Sequence, residues 1–173
     1  MTVKPPRVIV VMGVSGVGKT TFGTALALAL GYRFEDADAY HPPANVAKMS
    51  SGVPLDDADR QPWLESLAEL IARSLAPAAE APGLVLACSA LRARYRETLR
   101  LLPGDAALVH LIAPRDVLTD RLESRAGHFM KATLLDSQLA ALEAPDDALT
   151  LDGTKTVDAL VSETRRALFA ERP

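Results

Sequence analysis

The segment Gly13-Val14-Ser15-Gly16-Val17-Gly18-Lys19-Thr20, followed by Thr21, sets spaced glycines beside a lysine and two hydroxyl side chains. Glycines let a backbone turn tightly and bring several N–H groups to bear on one anion. A helix starting there would add the positive end of its dipole. The spacing fits the P-loop pattern, whose chemistry is the cradling of nucleotide phosphates. In that reading residues 13–21 bind ATP, Lys19 reaches its β- and γ-phosphates, and Thr20 holds Mg²⁺. The bland alternative is a glycine-rich turn with a stray lysine. A strand before the loop and a helix after it would separate the two readings.

Acidic groups follow at Asp36 and Asp38. Spaced by one residue on an extended chain, they would point the same way. One could support Mg²⁺ through water, and the other could accept the proton of a substrate hydroxyl. Asp36 is the candidate for the metal, because the later strand ending at Cys88 offers Ser89 where many P-loop ATPases carry an acid. A solvated acidic turn, or a helix cap at Asp38, is the competing explanation. Downstream lie His41, Asn45, Lys48, Asp57, Asp59 and Arg60, a polar stretch rich in turn formers. Arg60 could fork onto a carboxylate, although a solvated surface cluster explains its position as well. Farther on stand Arg92, Arg94 and Arg96. Then Arg121 and Arg125 are four residues apart on what reads as one helix face, ahead of Gly127-His128-Phe129. Phosphoryl transfer needs positive charge at the γ-phosphate and exclusion of water. A lid over roughly residues 121–140 would supply both. Surface pairing of these arginines with Asp120 or Glu123 is equally open.

Something must hold these groups at one edge. Val8 to Met12, Arg33 to Asp36, Leu84 to Cys88, Ala107 to Ile112 and Leu149 to Asp152 read as strands, mostly short, apolar and β-branched. Helical patterns cover Phe22–Leu30, closed by Gly31, then His41–Met49, Pro62–Leu75, Leu91–Leu102, Asp116–Arg125, Lys131–Leu142 and Val157–Phe169. Strands alternating with helices imply a mostly parallel sheet covered on both faces, within a single domain spanning residues 1–173. Ligands of such sheets bind beyond the carboxyl ends of the strands, where Gly13, Asp36 and Ser89 fall.

The bulk properties narrow the class. A chain of 173 residues, 49% hydrophobic and 24% charged, supports one packed core. Its net charge of −3 gives no general attraction to nucleic acid or anionic membrane. No apolar run approaches the length of a membrane span. The lone Cys88 excludes an intrachain disulfide and makes the cytoplasm the natural setting. A guanine-nucleotide switch is excluded too, because the chain carries no Asn-Lys-x-Asp reader.

Taken together the motifs resemble the gluconokinase family of P-loop sugar-acid kinases. The resemblance rests on the phosphate loop, Asp36-Ala37-Asp38, His41-Pro42, Asn45, Lys48-Met49, Ser51-Gly52, Pro54-Leu55, Asp57, Asp59-Arg60, Pro62-Trp63-Leu64, Cys88-Ser89-Ala90-Leu91, Tyr95-Arg96 and Gly127-His128-Phe129 with Lys131. It implies an α/β, three-layer P-loop fold with a five-stranded parallel sheet flanked by helices, plus a helical lid. It further implies transfer of the γ-phosphate of ATP to the 6-hydroxyl of D-gluconate with Mg²⁺, in a cytoplasmic homodimer. Likeness to shikimate kinases assigns the acceptor hydroxyl to Asp38 and its carboxylate to Arg60. The acceptor pocket is then expected to draw on Asp38, His41, Lys48, Arg60, Ser89, Arg92 and His128, and the catalytic set on Lys19, Asp38, Arg121 and Arg125. The rivals are a kinase for another small acceptor, and a nucleotide-binding regulatory protein with little turnover.

Overall fold

The structure, a computed structural model, describes residues 5–77, 82–101, 104–125 and 129–169, with the side chains of 129–133 outside that description. In chain order the elements are β1 (Val8–Met12), α1 (Lys19–Leu30), β2 (Arg33–Asp36), a 3-10 turn (Ala37–Tyr40), α2 (Pro43–Ser50), α3 (Asp57–Leu75) and β3 (Leu84–Ala87). There follow α4 (Ala93–Leu99), β4 (Ala106–Ile112), α5 (Arg115–Glu123), α6 (Phe129–Ala141), β5 (Leu149–Asp152) and α7 (Val157–Phe169).

The strands form one five-stranded sheet in the order β2-β3-β1-β4-β5, and every pairing is parallel. β1 lies at its centre, so its two faces both need cover, and all of Val8–Met12 is buried. Side chains alternate across a strand, and two separate cores result. Ile9 and Val11 join Phe22, Leu26, Leu118, Leu135 and Leu160 on the side of α1, α5, α6 and α7. Val8, Val10 and Met12 join Trp63, Leu67, Ile71 and Leu99 on the side of α3 and α4. Burying each such side chain is worth about 1.5–3 kcal/mol. A truncation such as Ile71→Ala would cost roughly 2–5 kcal/mol.

The register sets the functional edge. Val11 is level with Ala87, Met12 with His110, Asp36 with Ala87, and Ile112 with Asp152. Gly13, Ala37, Cys88 and Ala113 therefore leave the sheet along one rim.

The expected strands stand within a residue of their observed ends, and α7 matches throughout. The helices differ for local reasons. α3 starts at Asp57 rather than Pro62, because Asp56 caps it: the Asp56 carboxylate accepts from Asp59 N at 2.8 Å and the Asp59 carboxylate from Asp56 N at 2.9 Å. That reciprocal box satisfies two otherwise orphaned N–H groups. α4 runs only from Ala93 to Leu99, since Arg100 turns to a left-handed φ of 52°. α5 ends at Glu123, so Arg125 is not on its helix face and the expected Arg121–Arg125 pairing along one helix does not form.

Candidate active site

Between β1 and α1 the chain wraps the phosphate loop. Gly13 has φ +148°, and a Cβ there would come within 2.7 Å of Leu111 O. Gly18, at φ +101°, turns the chain into α1. These are conformations that L side chains rarely take. The first turn of α1 carries no acidic residue, which leaves its positive end for an anion. Lys19 Nζ donates to Val14 O at 3.2 Å, folding the ammonium back over the loop. Burial lowers the Lys19 pKa; the charges of Asp38 and Asp36 work against that, and Arg125 adds to it. An incoming phosphate would compensate that loss of solvation.

Thr20 Oγ1 donates to Asp36 Oδ2 at 2.9 Å. Asp36 Oδ1 accepts from Asp38 N at 3.0 Å. Asp36 is thus the cap of the 3-10 turn, while Asp38 stands exposed on that turn. The two carboxylates do not share an extended strand, as the sequence suggested, because the chain coils tightly after Asp36. A hydroxyl beside a carboxylate is a hard-oxygen pair of the kind Mg²⁺ selects. Among the described residues, no group of three or more His, Cys, Asp or Glu side chains converges into a protein-only metal cage.

The turn bearing Asp38 is fixed from behind. Buried Trp63 donates from Nε1 to Ala37 O at 2.7 Å. The His41 ring stacks on Trp63, with centroids 4.5 Å apart and planes at 13°. Burial lowers the His41 pKa, with Asp38 opposing and Arg60 reinforcing the shift. Asp38 and Arg60 are therefore both within electrostatic reach of His41. Arg60 also lies 3.9 Å from an Asp57 oxygen and 5.8 Å from the Tyr95 ring centre.

A gluconokinase from Gluconobacter oxydans is 50% identical over 169 residues, spanning 96% of this chain and 93% of its own. A crystal structure of a gluconokinase from Sinorhizobium meliloti superposes with a TM-score of 0.81 at 43% identity, over 95% of this chain and 91% of its own. The chain belongs to the gluconokinase family. A broader family model, described as shikimate kinase, matches residues 15–150. A shikimate kinase structure from Bacteroides thetaiotaomicron shares the fold at 22% identity and TM-score 0.65, over 94% of this chain and 98% of its own.

Within this gluconokinase-family site several residues have partners that the sequence did not announce. Lys48 is committed to Asp59 at 2.5 Å. That hydrogen bond raises Lys48 and is the first cause holding Asp59 down, so Lys48 ties α2 to the start of α3. Ser89 offers its carbonyl to Gly13 N at 3.4 Å, joining the end of β3 to the loop. Arg92 occupies the position before α4 without capping it through its side chain, and its charge is among those that lower Asp57. Arg121, one of the two arginines expected over the γ-phosphate, donates to Gly16 O at 3.4 Å, Val17 O at 3.2 Å and Gly153 O at 2.9 Å. It clamps the phosphate loop to the turn after β5. Arg125 is exposed and acts on Lys19 by its charge. His128 lies outside the described residues.

The sequence reading passed over two features. One is the Asp57 cluster: Tyr95 OH donates to Asp57 Oδ1 at 2.7 Å, and Arg94 pairs with the other oxygen. The acidic residue was visible, but its partners came from α4. The other is Gln138, whose Oε1 accepts from Ser15 N at 2.7 Å; one glutamine in an amphipathic helix carries no signal of its own. Cys88 is buried and its thiol is pushed up to about 12, chiefly by burial, which makes it a packing residue.

Proposed function

We propose that this protein transfers the γ-phosphoryl group of ATP directly to the 6-hydroxyl of D-gluconate, giving 6-phosphogluconate and ADP. The carrying observation is the continuous chain Thr20–Asp36–Asp38 at the mouth of the phosphate loop, with Lys19 in electrostatic reach. Family membership supports the acceptor. Residues 13–21 hold the ATP phosphates, and Lys19 spans the β- and γ-phosphates. Asp38 accepts the proton as the sugar O6–Pγ bond forms. The bond from Pγ to the bridging oxygen breaks, and its electrons stay on ADP. His41 and Arg60 border the acceptor, and Arg60 suits its carboxylate. Arg125 takes the role over the γ-phosphate, since Arg121 is engaged elsewhere. Thr20 and Asp36 would hold Mg²⁺, which neutralises phosphate charge when bound.

Leu122 and Leu135 are buried in the core, which anchors the two flanks of a lid over roughly residues 121–140. A cytoplasmic homodimer is carried by the family resemblance alone.

ADP release is the test, with Mg-ATP and a panel of D-gluconate, other sugar acids, shikimate and nucleoside monophosphates. Stimulation by gluconate above the others is expected. Stimulation by a different acceptor keeps the kinase and removes gluconate. Tight ATP binding with no stimulation overturns the kinase reading in favour of a regulatory protein.

A further inference from the structure

The peptide unit joining Val14 to Ser15 is held at both its polar ends. Its carbonyl oxygen accepts from Lys19 Nζ at 3.2 Å, and its N–H donates to Gln138 Oε1 at 2.7 Å. A peptide unit is rigid and planar, so its carbonyl and N–H turn together. Whatever holds the Ser15 N–H therefore also aims the Val14 carbonyl, and with it one of the three donors of the Lys19 ammonium. The remaining two are then left for phosphate oxygens.

Gln138 is well placed to do this. It sits on α6, 123 residues away from Ser15 in sequence, and that part of α6 is firmly mounted. Leu135 is fully buried. Arg115 forks onto Asp136 with two bonds of 2.9 Å. Just beyond the helix, Glu143 N donates to Leu91 O at 2.8 Å, and its carboxylate accepts from Ala93 N at 2.5 Å. A side chain on so fixed a platform can impose a geometry on its neighbour. An amide also supplies the acceptor without adding negative charge beside a phosphate site.

We infer that Gln138 is a positioning residue for phosphoryl transfer, fixing the Val14–Ser15 peptide and through it the place of the Lys19 ammonium. The inference rests on the kinase reading of the loop and not on which acceptor is used.

Two substitutions separate the acceptor from the bulk of the side chain. Gln138→Met keeps length and volume and removes the acceptor; Gln138→Glu keeps an acceptor oxygen. At saturating Mg-ATP, Gln138→Met should lower kcat on the order of tenfold to a hundredfold, the scale of a small misplacement of a catalytic group. KM for gluconate and the melting temperature should stay near wild type, and Gln138→Glu should lose clearly less kcat than Gln138→Met, with its charge beside the phosphates holding it below wild type. Equal losses in both variants, or wild-type kcat in Gln138→Met, overturn the proposal. A second readout is Mg-ATP affinity in a double-mutant cycle with Lys19→Ala. Gln138→Met should weaken binding in the wild-type background and add nothing once Lys19 is gone; an equal effect in both backgrounds overturns it. Should Gln138→Met and Gln138→Ala both fail to fold, the contact is a general stability element and the proposal falls. If the wild type shows no gluconate-stimulated turnover, the acceptor reading fails, while the affinity cycle still decides the role of Gln138.

Discussion

Thr20 and Asp36 meet across 2.9 Å, a hydroxyl donating to a carboxylate between the first turn of α1 and the end of β2. The contact ties the glycine-rich loop to the strand end that leads into the turn bearing Asp38. It also gives Asp36 two duties, since its other oxygen receives Asp38 N. Asp36→Asn removes the charge; its single oxygen can still accept from Asp38 N, and its NH2 can donate to the Thr20 hydroxyl, reversing that bond. If Asp36 supports a Mg²⁺-bound water, the Mg²⁺ concentration for half-maximal activity should rise about tenfold or more in this variant, with the melting temperature little changed. Titration of activity with Mg²⁺ at fixed ATP measures it. An unchanged Mg²⁺ dependence removes Asp36 from the metal site.

The two arginines at the end of α5 should separate cleanly. Arg121 gives its guanidinium to three backbone carbonyls on two segments, Gly16, Val17 and Gly153. Arg121→Ala strands those acceptors and loosens the loop, at about 1–3 kcal/mol for a bond from a charged donor. The expected result is a lower melting temperature and a raised KM for ATP. Arg125 is exposed beyond the helix, so Arg125→Ala should leave the melting temperature alone and lower kcat tenfold or more, roughly the worth of one preorganised donor to a transition-state charge. Thermal melts and steady-state kinetics on both variants decide. Loss of stability in Arg125→Ala with full kcat would reverse the assignment.

The phosphate loop was legible because its turn conformation is written in glycine spacing, although the residues that clamp it, Arg121 and Gln138, lie far along the chain. The sheet was legible because β1 and β3, buried on both faces, must be apolar throughout. The acceptor wall was less so. Lys48 stood in the sequence as a candidate substrate ligand, and its pairing with Asp59 was not foreseen, because α3 starts at Asp57 and puts Asp59 in the capping box and beneath the ammonium. The Asp56-x-x-Asp59 spacing is a capping signal that the sequence did contain. Gln138 was beyond reach, because its meaning comes from docking α6 against a loop far away in the chain.

Lys48 then yields a prediction opposite to the one its sequence position suggested. Its ammonium is bound to Asp59 and lies 3.9 Å from Asp56. Lys48→Met should therefore weaken the start of α3 and lower the melting temperature, while KM for gluconate stays within about twofold of wild type, as expected for a surface pair away from substrate. A large rise in that KM at unchanged stability would return Lys48 to the acceptor pocket.

Stability should also fall on mild acidification, through the histidines. Burial lowers the pKa of both His41 and His110 below the ordinary value of 6.5, with the Arg96 charge adding to the shift at His110. The unfolded chain then binds more protons than the folded one between the folded and unfolded values. The stabilisation is complete above 6.5 and is lost as pH falls through the folded pKa. Carboxylates held low, such as Asp57 and Asp59, act only below their ordinary value of 3.8, so the decline on acidification begins with the histidines. His110 is 3% exposed in β4, which makes it the cleaner probe. Melting temperatures measured from pH 7.5 downward should decline in the wild type before any carboxylate protonates. His110→Leu should flatten that part of the curve, and an unchanged slope would show that His110 does not carry it.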